Sequence, residues 1–185
     1  MNFNKIIILF MFFMISFSAS AKIPNNFGTV LPGIFRGGII TQESEYVYLA
    51  SLGVNTIISL EFFHKENEYF CNKFKLDCQR YGILQIPYEK IDLNQLKKAF
   101  KATLIEVDKG NKIYIHCYEG SDRTGALSSA LVIRNKTCDK IYDNKTLEKE
   151  IISELNKYKF NKWLYPSMYD EIVGWTKNIP VWICE

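Results

Sequence analysis

KIYIHCYEGSDRTGALSSALVIRN, Lys112–Asn135, is the stretch that decides the fold. Lys112–His116 is short, apolar and rich in isoleucine, the profile of a buried strand. Arg123–Asn135 is rich in Ala, Leu and Val and reads as a helix. Between them lies a polar turn with Gly120 inside it and Gly125 just past it. A buried strand running through a tight loop into a helix belongs to folds with a central sheet covered by helices. Ligands of such folds bind beyond the carboxyl ends of the strands.

Working outward, strand-like and helix-like segments alternate. Lys22–Leu31 is a polar, turn-rich lead-in, and Phe35-Arg36-Gly37-Gly38 a short strand ending in a turn. Thr41 is expected to cap a helix that runs to Leu52, with Gly53 as its stop. Val54–Leu60 reads as a buried strand, Lys65–Tyr81 as a helix ending at Gly82, and Ile83–Pro87 as another strand. Leu93–Asp108 is amphipathic and is broken by Gly110; Thr146–Tyr158 and Pro166–Lys177 are further helices. The alternation predicts an α/β fold with a central, mostly parallel sheet.

The chain has 185 residues, a one-domain length, with 48% hydrophobic, 15% aromatic and 23% charged residues. The net charge of +3 is modest and the basic residues form no block, so nucleic acid is not an expected partner. Met1–Lys5 carries one positive charge, Ile6–Ile15 is apolar, and Ser16–Ala21 turns small, the layout of a signal peptide cleaved after Ala21. The apolar run is short of the roughly 20 residues a membrane span needs. Residues 1–21 are therefore expected to be removed, leaving 22–185 as one catalytic domain without a membrane anchor, a monomer in the periplasm or outside the cell. The compact signal and the Lys/Asn/Ile-rich composition point to a bacterial host.

The loop carries chemistry suited to a phosphate monoester. At a strand–loop–helix junction successive amides can converge on an anion, and the helix N-terminus adds positive potential. Tyr118, Glu119, Gly120, Ser121, Asp122 and Arg123 form that cradle, and the Arg123 guanidinium can grip two phosphate oxygens. Cys117 at its base is the nucleophile, with the amides, Arg123 and His116 favouring the thiolate. Thr124 can donate to the sulfur. With two histidines, His64 and His116, no metal-ligand cluster is legible, and the chemistry calls for no cofactor. His64 reads as structural.

His116, Cys117, Gly120, Arg123, Thr124 and Gly125 resemble the His-Cys-x-x-Gly-x-x-Arg-Ser/Thr-Gly signature of the protein tyrosine phosphatase superfamily. The single-domain context is similar to the dual-specificity branch. Gly53–Leu60 and the strand at Phe35-Arg36-Gly37 are similar to segments of its bacterial members. The resemblance implies a cysteine-phosphatase fold with a four- or five-stranded sheet flanked by helices. It also implies hydrolysis of phosphotyrosine, and of phosphoserine or phosphothreonine, on proteins through a phosphocysteine. A phosphoinositide or inositol phosphate is the alternative substrate, and a catalytically dead module that captures phosphorylated ligands is an alternative of another class. Low-molecular-weight phosphatases and arsenate reductases carry the loop near the N-terminus, and Arg-Thr-Gly does not fit a sulfurtransferase.

Members of the superfamily usually draw the leaving-group proton from an acid on an upstream loop. Glu89 and Asp92 occupy that region, but Asp92-Leu93-Asn94-Gln95 is also a capping box. Asp122 is a third candidate, because an Asp beside the Arg occurs in several phosphoinositide phosphatases; it could equally hold loop amides. Lipid-directed loops often place Lys where this chain has Ser121.

Cys71, Cys78, Cys138 and Cys184 remain, either as two disulfides or as four buried thiols. Cys71 and Cys78, if both helical, stand about 10 Å apart and are not expected to pair. The aromatics of Tyr158–Trp182 read as packing residues.

Overall fold

The computed structural model describes residues 20–138 and 140–185. The expected signal peptide, except for Ser20 and Ala21, lies outside them. Five strands form one sheet in the order β1-β2-β5-β3-β4. These are β1 (Gly28–Leu31), β2 (Ile34–Gly37), β3 (Thr56–Ser59), β4 (Asp77–Arg80) and β5 (Ile113–His116). β1 and β2 form an antiparallel hairpin, while β2, β5, β3 and β4 run parallel. The central strand β5 is flanked by β2 and β3, so its carboxyl end opens at the middle of one sheet edge.

Strand alternation sorts the side chains to two cores. Ile113, Ile115 and Cys117 face one cluster together with Ile34, Ile58 and Leu60. That face is covered by α3 (Leu93–Asp108), α4 (Asp122–Thr137), α5 (Asn144–Lys157), α6 (Pro166–Gly174) and α7 (Val181–Cys184). Tyr114, Ile57 and Phe35 face the other cluster, covered by α1 (Glu43–Ser51) and α2 (Glu68–Lys73). The helix α4 is the axis of the larger core, buried from Asp122 through Ile133.

The structure corrects several boundaries. β1 lies in the supposed lead-in. Gln42 rather than Thr41 caps α1, with the Glu45 carboxylate accepting from both amides at 2.8 and 3.0 Å. The single helix expected over Lys65–Tyr81 is a short helix and a strand. It is cut at Lys75, whose φ is +54°. There Leu76 N donates to Cys71 O at 2.8 Å and Lys75 N to Asn72 O at 3.2 Å, the paired bonds of a Schellman ending. Ile83–Pro87 forms no strand. The strand β3 ends at Ser59, so after Ile83 N bonds Leu60 O the chain leaves the sheet, with Leu84 and Ile86 each 42% exposed.

Ending α2 early also corrects the cysteine pairing. Cys78 sits on β4 rather than two turns along a helix, 6.2 Å from Cys71 between Cα atoms, and the two form a disulfide. Cys138 and Cys184 form the second, across 46 residues, and Cys117 is the free cysteine. The reduction in unfolded-state entropy grows with loop length. Removing Cys138–Cys184 by C138A/C184A is therefore expected to lower unfolding free energy by about 4 kcal/mol, against about 2.5 kcal/mol for C71A/C78A. Urea unfolding of the two double variants checks the order. Thiol titration of the denatured, unreduced chain should count one thiol, rising to five after reduction.

Candidate active site

The loop between β5 and α4 is held by its carbonyls. Tyr118 O accepts from Ile39 N at 3.0 Å, Glu119 O from Asn26 Nδ2 at 3.3 Å, and Gly120 O from Arg36 Nη2 at 2.7 Å. In a trans peptide the N–H points opposite to the C=O. Three carbonyls turned outward therefore turn the amides of Glu119, Gly120 and Ser121 inward. Among the described residues, no amide from Tyr118 to Arg123 donates to a protein acceptor. A row of free, convergent amides leading into the N-terminus of α4 is an anion cradle.

Gly120 makes this curvature feasible. Its φ is +73°, and a Cβ there would stand 2.3 Å from the Gly37 carbonyl carbon. Only glycine lets the loop lie flat on the end of β2.

Cys117 lies at the floor of the cradle and is 2% exposed. Arg123, on the first turn of α4, is buried. Its Nη2 donates to Glu61 Oε2 at 2.9 Å and its Nη1 to Ile83 O and Leu60 O at 3.1 and 3.3 Å, while Nε has no partner. Glu61 thus fixes the guanidinium plane beside the loop. The Thr124 hydroxyl, expected to serve the sulfur, is buried and unpartnered.

His116 points to the other face of the sheet, stacked on Tyr114 with ring centroids 5.7 Å apart. Its Nε2 lies 2.5 Å from Glu66 Oε1, and this is the only polar contact of either atom among the described residues. Burial pushes the Glu66 carboxyl up, but the hydrogen bond and charge of His116 outweigh it and hold the carboxyl below its usual 4.5.

The three carboxylates expected as acids are placed differently. Asp92 caps α3, accepting from Asn94 N and Gln95 N at 3.0 and 3.1 Å. Asp122 is buried, with Oδ1 accepting from Asn161 N at 2.7 Å and Oδ2 from the Ser121 hydroxyl at 3.1 Å. Glu89 is exposed on the segment between β4 and α3. That segment is tied to the stretch before α6 by Tyr88 N to Leu164 O at 2.9 Å and Ser167 Oγ to Tyr88 O at 3.0 Å. Of the cradle residues, Tyr118 and Glu119 contribute backbone to the loop and expose their side chains. A cavity of about 280 Å³ opens alongside, lined by Asn25, Asn26, Glu119, Asp122, Lys159 and Tyr165 among others.

Sequence reasoning missed Arg36, Glu61, Glu66 and Asn161. For the first two a signal existed: a charge inside or immediately after an apolar strand is rarely buried without a partner.

A family model described as Tyrosine phosphatase family matches residues 23–135. The rice (Oryza sativa subsp. japonica) protein named inositol diphosphatase DSP2 is 31% identical over 124 residues, covering 62% of this chain and 57% of that protein. The chain thus spans little more than half the length of that relative. The catalytic core of the PP-IP phosphatase SIW14 from S. cerevisiae, in complex with citrate, shares the fold with a TM-score of 0.62 at 19% identity, over 87% of this chain and 89% of that one. PTPMT1 in complex with PI(5)P does so with a TM-score of 0.62 at 14% identity, over 84% of this chain and 97% of that one.

The Glu66–His116 pair sets an acid limit on the fold. A carboxyl whose folded pKa is depressed contributes stability above its unfolded value of 4.5, and loses it as pH falls through the lower folded value. Thermal melts from about pH 6 to about pH 3 should show a shallower loss for Glu66→Gln than for the wild type, with the variant less stable at the upper end. Parallel curves would remove Glu66 from this role.

Proposed function

The chain belongs to the tyrosine phosphatase family, and we propose that it hydrolyses phosphotyrosine on proteins through a phosphocysteine at Cys117. The Cys117 thiolate attacks phosphorus in line with the ester oxygen, the P–O bond breaks, and the phenoxide leaves with a proton. Water then attacks phosphorus, the S–P bond breaks, and the thiolate is restored. The loop amides and Arg123 bind the equatorial oxygens throughout.

The observation that carries the substrate class is the character of the loop and its rim. Apart from Arg123 the cradle has no basic side chain; Glu119 and Asp122 are acidic. A polyanion would meet repulsion there. The segments that surround the loop in the topology carry exposed aromatic side chains instead, with Tyr118 59%, Tyr88 68%, Phe63 83% and Trp163 91% exposed. These residues follow β5, β4 and β3 and precede α6, on the sheet edge where the loop opens. Exposed rings of this kind suit the ring of a phosphotyrosine. The second reading is an inositol phosphate or phosphoinositide. It is favoured by the name of the rice relative and by Lys159 in the neighbouring cavity.

We assign the leaving-group proton to Glu89, since Asp92 is committed to α3 and both oxygens of Asp122 already accept hydrogen bonds. Thr124 serves the sulfur as it leaves in the second step. Export of the mature 22–185 chain as a monomer fits the two disulfides, which form in oxidising compartments.

Hydrolysis of 4-nitrophenyl phosphate by residues 22–185, with chelator present, is expected and should vanish in Cys117→Ser. On a substrate panel kcat/KM should be at least about 10-fold higher for phosphotyrosine peptides than for inositol phosphates or phosphoinositides, a difference of about 1.4 kcal/mol in transition-state binding. The reverse order would install the inositol reading.

Glu89→Gln should lower turnover of phosphotyrosine by about 10²-fold. It should lower that of 4-nitrophenyl phosphate, whose leaving group needs less help, far less. Equal effects on both would exclude Glu89 as the acid.

A further inference from the structure

Arg36 is 2% exposed, on the strand that lies beside β5. Its Nη2 reaches Gly120 O at 2.7 Å and Ser121 O at 3.4 Å, its guanidinium sits 3.9 Å from the centroid of the Tyr158 ring, and its Nε is unpartnered. The other buried arginine, Arg123, has Glu61. Among the described residues no carboxylate lies within 4.0 Å of Arg36. Glu150 and Glu154 line a cavity of about 120 Å³ with it but are paired with Lys136 at 2.8 Å and Lys157 at 3.4 Å. A buried cation without a counter-ion is costly, and here the Gly120 carbonyl and the Tyr158 ring are what hold it.

The ionisable groups facing Arg36 are Tyr158 at the end of α5, Cys117 in the loop, Glu154 on α5 and Tyr114 on β5. Burial lowers the Arg36 pKa from 12.5 to about 10, so it stays charged at neutral pH. Burial also raises the Tyr114 phenol well above 10, so that ring stays neutral.

We propose that Arg36 is a positioning residue of the catalytic loop. Its Nη2 holds the Gly120 carbonyl out of the cradle, which aims the Ser121 amide at the phosphoryl group. The Ser121 carbonyl, 3.4 Å from the same nitrogen, accepts the first bond of α4 from Gly125 N at 2.7 Å. Arg123 grips the substrate from the open side; Arg36 holds the loop from behind and touches no reacting atom. This rests on the cysteine-phosphatase reading of the loop.

The test compares wild type, R36M and R36K by three readouts: kcat/KM for 4-nitrophenyl phosphate, inhibition by inorganic phosphate, and melting temperature. In R36M, kcat/KM should fall about 10²-fold and phosphate should inhibit about 10-fold more weakly. R36K retains the charge without the fork, so its phosphate inhibition should stay several-fold weaker than that of wild type at a wild-type melting temperature. A folded R36M with wild-type phosphate inhibition overturns the proposal. Should R36M fail to fold, R36K decides alone: wild-type phosphate inhibition overturns the proposal, and weakened inhibition at a wild-type melting temperature supports it. Turnover that survives Cys117→Ser would instead sink the reading of the site, and phosphate inhibition of R36M would still decide whether Arg36 shapes the cradle.

Discussion

The outward turn of three carbonyls, at Tyr118, Glu119 and Gly120, is the constraint on which the site depends. A loop of this length could satisfy its own polar groups by folding inward, and the amides would then be spent on its carbonyls. Here each carbonyl is claimed from outside, by an amide after β2, a side chain before β1 and a guanidinium from β2. Among the described residues the amides are left with no protein partner, a cost a fold bears only where a ligand or water takes the bonds. The hairpin β1–β2 is thus part of the site, although it carries no reacting group.

The parallel order of β2, β5, β3 and β4 supplies the remaining parts from one edge. Glu61 follows β3 and reaches Arg123; Glu66 follows it further and reaches His116 on the opposite face of β5. Two acid–base pairs therefore bracket Cys117, one on each side of the sheet. The disulfide Cys71–Cys78 ties α2 to β4, and so steadies the segment that carries Glu66. Cys138–Cys184 closes α7 against the end of α4, the helix whose first turn holds Asp122, Arg123 and Thr124.

How much of this was legible follows from where the physics is local. The strand, loop and helix at Ile113–Thr137 are specified by neighbours in sequence: apolar run, glycine, helix formers. Their reading stood to within two residues. Leu93–Asp108 was equally readable because Asp92 caps it and Gly110 ends it, both short-range devices. The ending of α2 failed because its left-handed residue is Lys75, where composition favours glycine, and the stabilising bonds are made by backbone. The error then propagated: a helix too long put Cys78 out of reach of Cys71. β1 was missed because a hairpin edge strand of four residues has no periodicity of its own. Arg36, Glu61 and Glu66 act across 84, 62 and 50 residues of chain, and sequence alone gives no distance of that kind.

The pairing of Arg123 with Glu61 bears on how the proposed catalysis would be organised. A flexible guanidinium would lose rotational freedom on gripping the phosphoryl group, and that loss would be charged to every turnover. Glu61 and the carbonyls of Leu60 and Ile83 remove it in advance, during folding. The same holds for the amides, whose direction is set by partners outside the loop. On the proposed reaction, the donors would need little reorganisation as charge passes from the thiolate through the phosphoryl group to the leaving oxygen. On the proposed reading, the neutral and acidic side chains around the cradle would oppose any charge brought in beyond the one phosphoryl group.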